Sequence, residues 1–154
     1  MDLSPDVYQI AREILYRDGI RSHFQLEMDF PMEDYWAIIT NWENITWVMD
    51  AIKQEQLGEQ IRRLSFSTGT TLRERLMSTD AATHVLVYAV LESPMPAKMY
   101  EGTVTIKETA PGKTFLTYDA VYIPKDGVDP AKLKASVDLN FTHRVAWTVA
   151  TFKK

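Results

Sequence analysis

Residues 70–77 read Thr-Thr-Leu-Arg-Glu-Arg-Leu-Met, the alternation of apolar and polar side chains expected of a half-buried strand. Residues two apart on a strand share a face, so Glu74 falls in step with Leu72 and Leu76 while Arg73 and Arg75 point the other way. A carboxylate aimed into a protein needs a cation or hydrogen-bond donors beside it. The segment 61–67 offers one. With Gly69 at the midpoint of a hairpin, Leu64 falls opposite Glu74 and Arg62 opposite Leu76. Arg62, Leu64 and Phe66 then join Leu72, Glu74 and Leu76 on the inner face, with Arg62 and Glu74 as diagonal neighbours. A one-residue slip would bring Arg63 inward instead. Such a pair has two uses. It can be an ion pair that fixes strand register, or it can stand in a cavity wall, where Arg62 holds a ligand oxygen and Glu74 moves a proton.

The same parity places other polar groups inward. Tyr118 and Tyr122 share a face with Ala120, and Tyr88 aligns with Leu86, Val90 and His84. Asn140 and Arg144 flank a C-terminal apolar stripe that contains Phe141 and Val145. Tyrosine hydroxyls in a cavity can donate to a ligand oxygen, which makes Tyr118 a third candidate beside Glu74 and Arg62 for acid–base work. Trp36, Trp42 and Trp47 are placed to close a cavity mouth from the helical side. The three histidines, His23, His84 and His143, lack ligand spacing, and no metal is expected. There is no glycine-rich phosphate loop, flanked Ser-His-Asp pattern or dinucleotide fingerprint. Any chemistry must therefore run without a cofactor.

The elements that position these residues are legible in outline. The chain has 154 residues, a net charge of -4 and no cysteine. It suits one domain without disulfides or thiolate chemistry, and its mixed charges suggest no nucleic-acid partner. The first residues lack the basic start and apolar run of a secretory signal, and no stretch approaches a membrane-spanning length. The expectation is a cytoplasmic protein without membrane insertion. Ser4-Pro5 starts a helix with Val7, Ile10, Ala11, Ile14 and Leu15 as its apolar stripe, stopped by Gly19. That stripe needs a surface, either the domain's own or that of a second copy of the chain, which would give a homodimer. A strand follows, with Phe24, Leu26, Met28 and Phe30 on one face, and then a short helix carrying Tyr35, Trp36, Ile39 and Trp42. Strands are expected near 52–57, 61–67, 71–78, 84–92, 100–108 and 114–123, separated by turn signals. Asp129-Pro130 opens a final helix whose stripe runs Leu133, Val137, Phe141, Val145, Thr148 and Phe152. The result is an α+β fold, with residues 1–20 as a helical extension and 21–154 as a single domain in which an antiparallel sheet curls around the last helix.

Several spaced features resemble the START/Bet v 1-like (SRPBCC) superfamily of helix-grip folds, in particular its polyketide cyclase/dehydratase branch. They are Trp36…Asn41-Trp42…Trp47, Arg62-Arg63-Leu64, Gly69 with Leu72-Arg73-Glu74-Arg75-Leu76, and Tyr88…Leu91-Glu92-Ser93-Pro94-Met95-Pro96…Tyr100. The resemblance covers roughly residue 22 to the C-terminus. The chain departs from it in the added N-terminal helix, in Tyr118 where tryptophan is frequent, and in Glu59 near a usual glycine. The resemblance implies a sheet wrapped around the last helix and an internal ligand cavity, and it brings Tyr100 among the cavity residues. Two functions follow as expectations. One is a carrier or binding protein for a hydrophobic aromatic, polyketide- or isoprenoid-like small molecule. The other is a cofactor-independent cyclase, dehydratase or isomerase that uses Glu74, Arg62 and a tyrosine. A protein–protein role of co-chaperone type is a third reading.

Overall fold

The computed structural model describes residues 4–152. The elements run α1 (Pro5–Asp18), β1 (Ile20–Met28), α2 (Met32–Thr40), β2 (Ala51–Gly58), β3 (Ile61–Phe66), β4 (Thr71–Asp80), β5 (Val85–Glu92), β6 (Ala97–Ala110), β7 (Lys113–Pro124) and α3 (Pro130–Thr151). Each expected strand and helix is present, with ends shifted by a few residues. The strands form one antiparallel sheet in the order β1-β7-β6-β5-β4-β3-β2. Strands β2 to β7 are a meander, and β1 adds to β7, so α2 and the loop after it carry the chain from one sheet edge to the other.

Helix α3 begins as its sequence dictates. The Asp129 side chain accepts a hydrogen bond from the Ala131 N–H at 3.0 Å, and Pro130 takes the first helical position, where no N–H is needed. Leu133, Val137, Phe141 and Thr148 of α3, with Phe152 just beyond it, are buried against the inner face of the sheet, among Leu26, Leu86, Val104, Ile106 and Leu116. A curved sheet gripping its C-terminal helix is the α+β helix-grip architecture.

The outer face is also buried where β5, β6 and β7 meet. Helix α1 lies there, and Tyr8 and Leu15 form a second small core with Ala89, Met99 and Val121. The stripe expected for α1 is only partly right. Leu15 is fully buried, but Val7, Ile10 and Ile14 are exposed. The helix is turned so that Tyr8, Arg12 and Tyr16, spaced by four, meet a carboxylate on the sheet. Glu101 of β6, 1% exposed, accepts from the Tyr8 hydroxyl at 2.8 Å, the Tyr16 hydroxyl at 2.7 Å and the Arg12 Nε at 2.9 and 3.0 Å. Satisfying a buried charge outweighs burying three more aliphatic side chains, and that sets the helix phase.

The β3–β4 hairpin corrects the register. Arg62 lies directly opposite Glu74, and Leu64 opposite Leu72, rather than Leu64 opposite Glu74 and Arg62 opposite Leu76. The loop is Ser67-Thr68-Gly69, centred on Thr68, and Gly69 ends it at φ 88°. This is a three-residue loop whose last position is left-handed, where glycine carries no penalty. Moving the centre by one residue shifts partners by two, so the inward face is unchanged and Arg62, not Arg63, is inside.

Candidate functional site

Between the inner face of the sheet and α3 lies a cavity of about 520 Å³, within the range of small-molecule sites. Leu64 and Phe66 of β3, Leu72 and Glu74 of β4, Tyr88 and Val90 of β5 and Tyr100 of β6 form its sheet wall. Helix α3 contributes Ser136, Val137, Asn140 and Arg144. The rest comes from three loops, residues 47–50 with Trp47, residues 93–96 with Met95, and Thr68 between β3 and β4. The wall is mostly apolar with a few polar groups set into it.

Nine of the residues singled out from the sequence line this cavity: Trp47, Leu64, Phe66, Leu72, Glu74, Tyr88, Tyr100, Asn140 and Arg144. The others lie elsewhere. Trp36 is half-buried with its ring edge-on to His84. Trp42 sits behind the wall, over Arg62. Leu76 lies beyond the cavity on β4, opposite Tyr88. Tyr118 stacks on Phe24 at 4.9 Å, and Phe141 meets the same Phe24 ring edge-on. Tyr122 shares a 2.7 Å hydrogen bond with Ser22. Parity along a strand identifies the inward face, but the core fills most of that face and the cavity only one end. The loop residues 48–50 and 93–96 and Thr68 were not singled out, because period-2 reasoning is silent in loops.

Arg62 and Glu74 do pair. Arg62 is fully buried and Glu74 is 5% exposed. The Arg62 Nε donates to Oε1 of Glu74 at 2.9 Å, and Nη2 lies 2.7 Å from the same oxygen, off the hydrogen-bonding angle. Nη1 donates to the carbonyls of Trp42 at 3.1 Å and Asn44 at 3.3 Å. The guanidinium lies 3.7 Å from the Trp42 ring centroid, in cation–π contact. Arg62 is thus a strut between β3, β4 and the loop after α2, and its charge does not reach the cavity. Glu74 does line it. Both Arg62 contacts fall on Oε1, and Oε2 accepts no hydrogen bond from the described residues.

A second polar group sits on the α3 side. The Arg144 guanidinium lies 5.3 Å from the Tyr118 ring centroid, in cation–π contact. Tyr88 and Tyr100 line the cavity beside it. Burial pushes the phenol pKa values of Tyr88, Tyr100 and Tyr118 upward, so all three are neutral at physiological pH. Burial opposes the charge of Arg144, and the surrounding phenol oxygens outweigh that, holding its pKa above the ordinary value. The Tyr88 ring has room because its cross-strand partner is Gly102. A Cβ there would come within 2.4–2.6 Å of the ring.

His23 pairs with Asp119 at 2.6 Å and His84 with Glu33 at 2.8 Å, both away from the cavity. Among the described residues no group of three or more His, Cys, Asp or Glu could hold a metal. No described helix is long and apolar enough to cross a membrane.

A curved sheet around a C-terminal helix, with a cavity between them, is the helix-grip arrangement of SRPBCC-type proteins. The chain belongs to the family described as polyketide cyclase / dehydrase and lipid transport, whose match spans residues 21–150. Among solved structures it is similar to an uncharacterised protein from Bacillus thuringiensis, with a TM-score of 0.77, 18% identity, and coverage of 86% of this chain and 98% of that one. The protein XoxI from Bacillus cereus gives a TM-score of 0.74 at 17% identity, with 86% and 94% covered. The Zhui aromatase/cyclase from a Streptomyces species gives a TM-score of 0.68 at 13% identity, with 87% and 91% covered. At these identities the likeness is one of fold. No curated protein matches the sequence.

Proposed function

We propose that this protein binds a hydrophobic small molecule, of aromatic, polyketide-like or isoprenoid-like character, in the cavity between the sheet and α3, as a carrier or binding protein. The observation that carries this reading is the cavity itself: about 520 Å³, walled by Trp47, Leu64, Phe66, Leu72 and Val90, with Glu74, Tyr88, Tyr100, Asn140 and Arg144 among its polar groups. Apolar walls supply affinity, and a few placed polar groups fix orientation. The ion pair of Arg62 and Glu74 supports a binding role, since Arg62 is committed to two carbonyls and a tryptophan face. Native mass spectrometry of the purified protein tests the reading, with displacement of any bound mass by an uncharged naphthalene derivative. The expected result is one displaceable small molecule per chain and loss of binding in Leu64→Trp, which fills the cavity. Failure of both the naphthalene derivative and its sulfonate to bind the empty protein overturns it.

One observation favours a second reading, a cofactor-independent cyclase or dehydratase. Glu74 presents an oxygen that accepts no hydrogen bond from the described residues on the cavity wall. In that position it can take a proton from a carbon between two carbonyls, leaving an enolate that attacks a further carbonyl of the same chain. The proton returns to the new alkoxide to give a hydroxyl group; Glu74 then removes the second proton of the attacking carbon and passes it to the departing hydroxyl, which leaves as water as the carbon–carbon double bond forms. The aromatase/cyclase among the similar folds supports the class of reaction. A linear β-polyketone incubated with the protein separates the two readings: loss of water that Glu74→Gln abolishes indicates the enzyme, and recovery of the intact compound indicates the carrier.

A further inference from the structure

We propose that the molecule taken up in this cavity is an organic monoanion, an apolar ring system bearing one carboxylate or phenolate, and that Arg144 holds its charged oxygen. The proposal rests on the cavity being a ligand site and adds the chemical class of the ligand.

The charges that line the cavity do not balance. Glu74 is matched by Arg62 behind it. Asp50 is exposed at the mouth. Among the described residues Arg144 has no carboxylate within ion-pair distance, and its Nε is buried without a partner. Its neighbours are neutral phenols, which solvate a cation without neutralising it. A half-buried guanidinium with a shielded Nε and no carboxylate beside it gains charge-assisted hydrogen bonds when an anion arrives.

The hydrogen-bond polarity points the same way. Tyr88 and Tyr100 stand beside Arg144 in the cavity lining. A neutral phenol can donate its O–H to a ligand oxygen, and Tyr88 lines the cavity. Trp47, also in the lining, has an indole Nε1 that is buried without an acceptor. Arg144, Tyr88 and Trp47 thus each present a donor to the cavity. A ligand group rich in acceptors and negatively charged matches it, since charge-assisted hydrogen bonds from a guanidinium and a phenol converge on one oxyanion.

The test uses two probes with the same rings: anilinonaphthalene sulfonate, an anion, and its uncharged parent phenylnaphthylamine. Both fluoresce on leaving water, and mutual displacement shows that they share a site. The wild-type chain is expected to bind the sulfonate roughly tenfold to hundredfold more tightly than the parent. Arg144→Met should remove that preference while leaving the parent's affinity within about threefold, and Tyr88→Phe should remove part of it. If Arg144→Met does not fold, the wild-type preference and its reduction in Tyr88→Phe decide the matter. Equal affinity of the wild type for the two probes, or a preference that survives Arg144→Met, overturns the proposal and leaves the ligand-cavity reading intact. Failure of both probes to bind removes the ligand-cavity reading and the proposal with it.

Discussion

Replacing Glu74 by Gln preserves shape and removes one charge from the pair that holds β3, β4 and the loop after α2 together. Breaking a fully buried ion pair by removing one partner typically costs about 3–5 kcal/mol. Here the stranded cation keeps three supports: the Trp42 and Asn44 carbonyls at 3.1 and 3.3 Å and the Trp42 ring at 3.7 Å. A desolvated cation–π contact contributes about 2 kcal/mol, so the loss falls at the lower end, about 3 kcal/mol. For a chain of this size that is a melting-temperature drop of roughly 6–12 °C. Arg62→Met removes the supports as well and leaves two carbonyls unpaired, but Glu74 can be hydrated from the cavity, and a loss of similar size is expected. The double variant should then be more stable than the sum of the single losses predicts, with a coupling of about 2 kcal/mol. Urea unfolding of the four proteins, with melts alongside, measures every quantity. A drop below about 2 °C for Glu74→Gln, or single effects that add within about 0.5 kcal/mol, would refute the claim that this pair is a structural strut.

Three further perturbations reach other parts of the molecule. Gly102→Ala places a Cβ within 2.4–2.6 Å of the Tyr88 ring, so the ring must move into the cavity. A loss of about 1–3 kcal/mol and weaker binding of the neutral naphthalene probe are expected by melt and titration. Removing residues 1–19 leaves the 1%-exposed Glu101 without Arg12, Tyr8 or Tyr16. With α1 gone Glu101 passes to solvent while Met99 and Val121 are uncovered, so the truncated chain should lose at least the roughly 1.5–3 kcal/mol of one buried apolar side chain, and Glu101→Gln should restore little of it, as denaturant titration would report. Burial holds Tyr88, Tyr100 and Tyr118 above their ordinary pKa of 10.0. A folded-state pKa above the unfolded one gives stability that is complete below about pH 10 and is lost as pH rises through the folded value. The melting temperature should therefore hold level through pH 9 and fall only beyond about pH 10, read together with tyrosinate absorbance.

How much of this was legible depended on whether a regular period governed the residue. The inward face of β3 and β4 follows from alternation alone, and Arg62, Leu64, Leu72 and Glu74 all point where parity puts them. The capped start and stripe of α3 were equally plain, because Asp129-Pro130 and apolar residues three and four apart have few other readings. The hairpin register was missed by two residues because Gly69 was taken as the loop centre, whereas a three-residue loop puts its left-handed glycine last. The phase of α1 was misread for a different reason. Its aliphatic residues Val7, Ile10 and Ile14 carry the stronger apolar signal, but the force that turns the helix is a carboxylate 85–93 residues away in sequence. Nothing local in the α1 sequence announces a partner at that distance. The Glu101 cluster could have been suspected from parity, since Glu101 lies on the face opposite Tyr100, between Met99 and Thr103, in a strand too apolar to be exposed on either side.

That alternation of Tyr100 and Glu101 also explains why the two faces of the sheet are not independent. Tyr100 points into the cavity beside Tyr88, while the next residue, Glu101, is gripped from outside by three side chains of α1. A residue cannot rotate about a strand axis without carrying its neighbours, since the ladder bonds of β6 to β5 and β7 fix both. Clamping Glu101 therefore fixes the stretch of β6 that presents Tyr100 on one side of it and Gly102 on the other. Gly102 makes the space for the Tyr88 ring, and Tyr100 lines the cavity beside it. The helix that never touches the cavity thus holds the backbone on which the cavity's phenols are arranged.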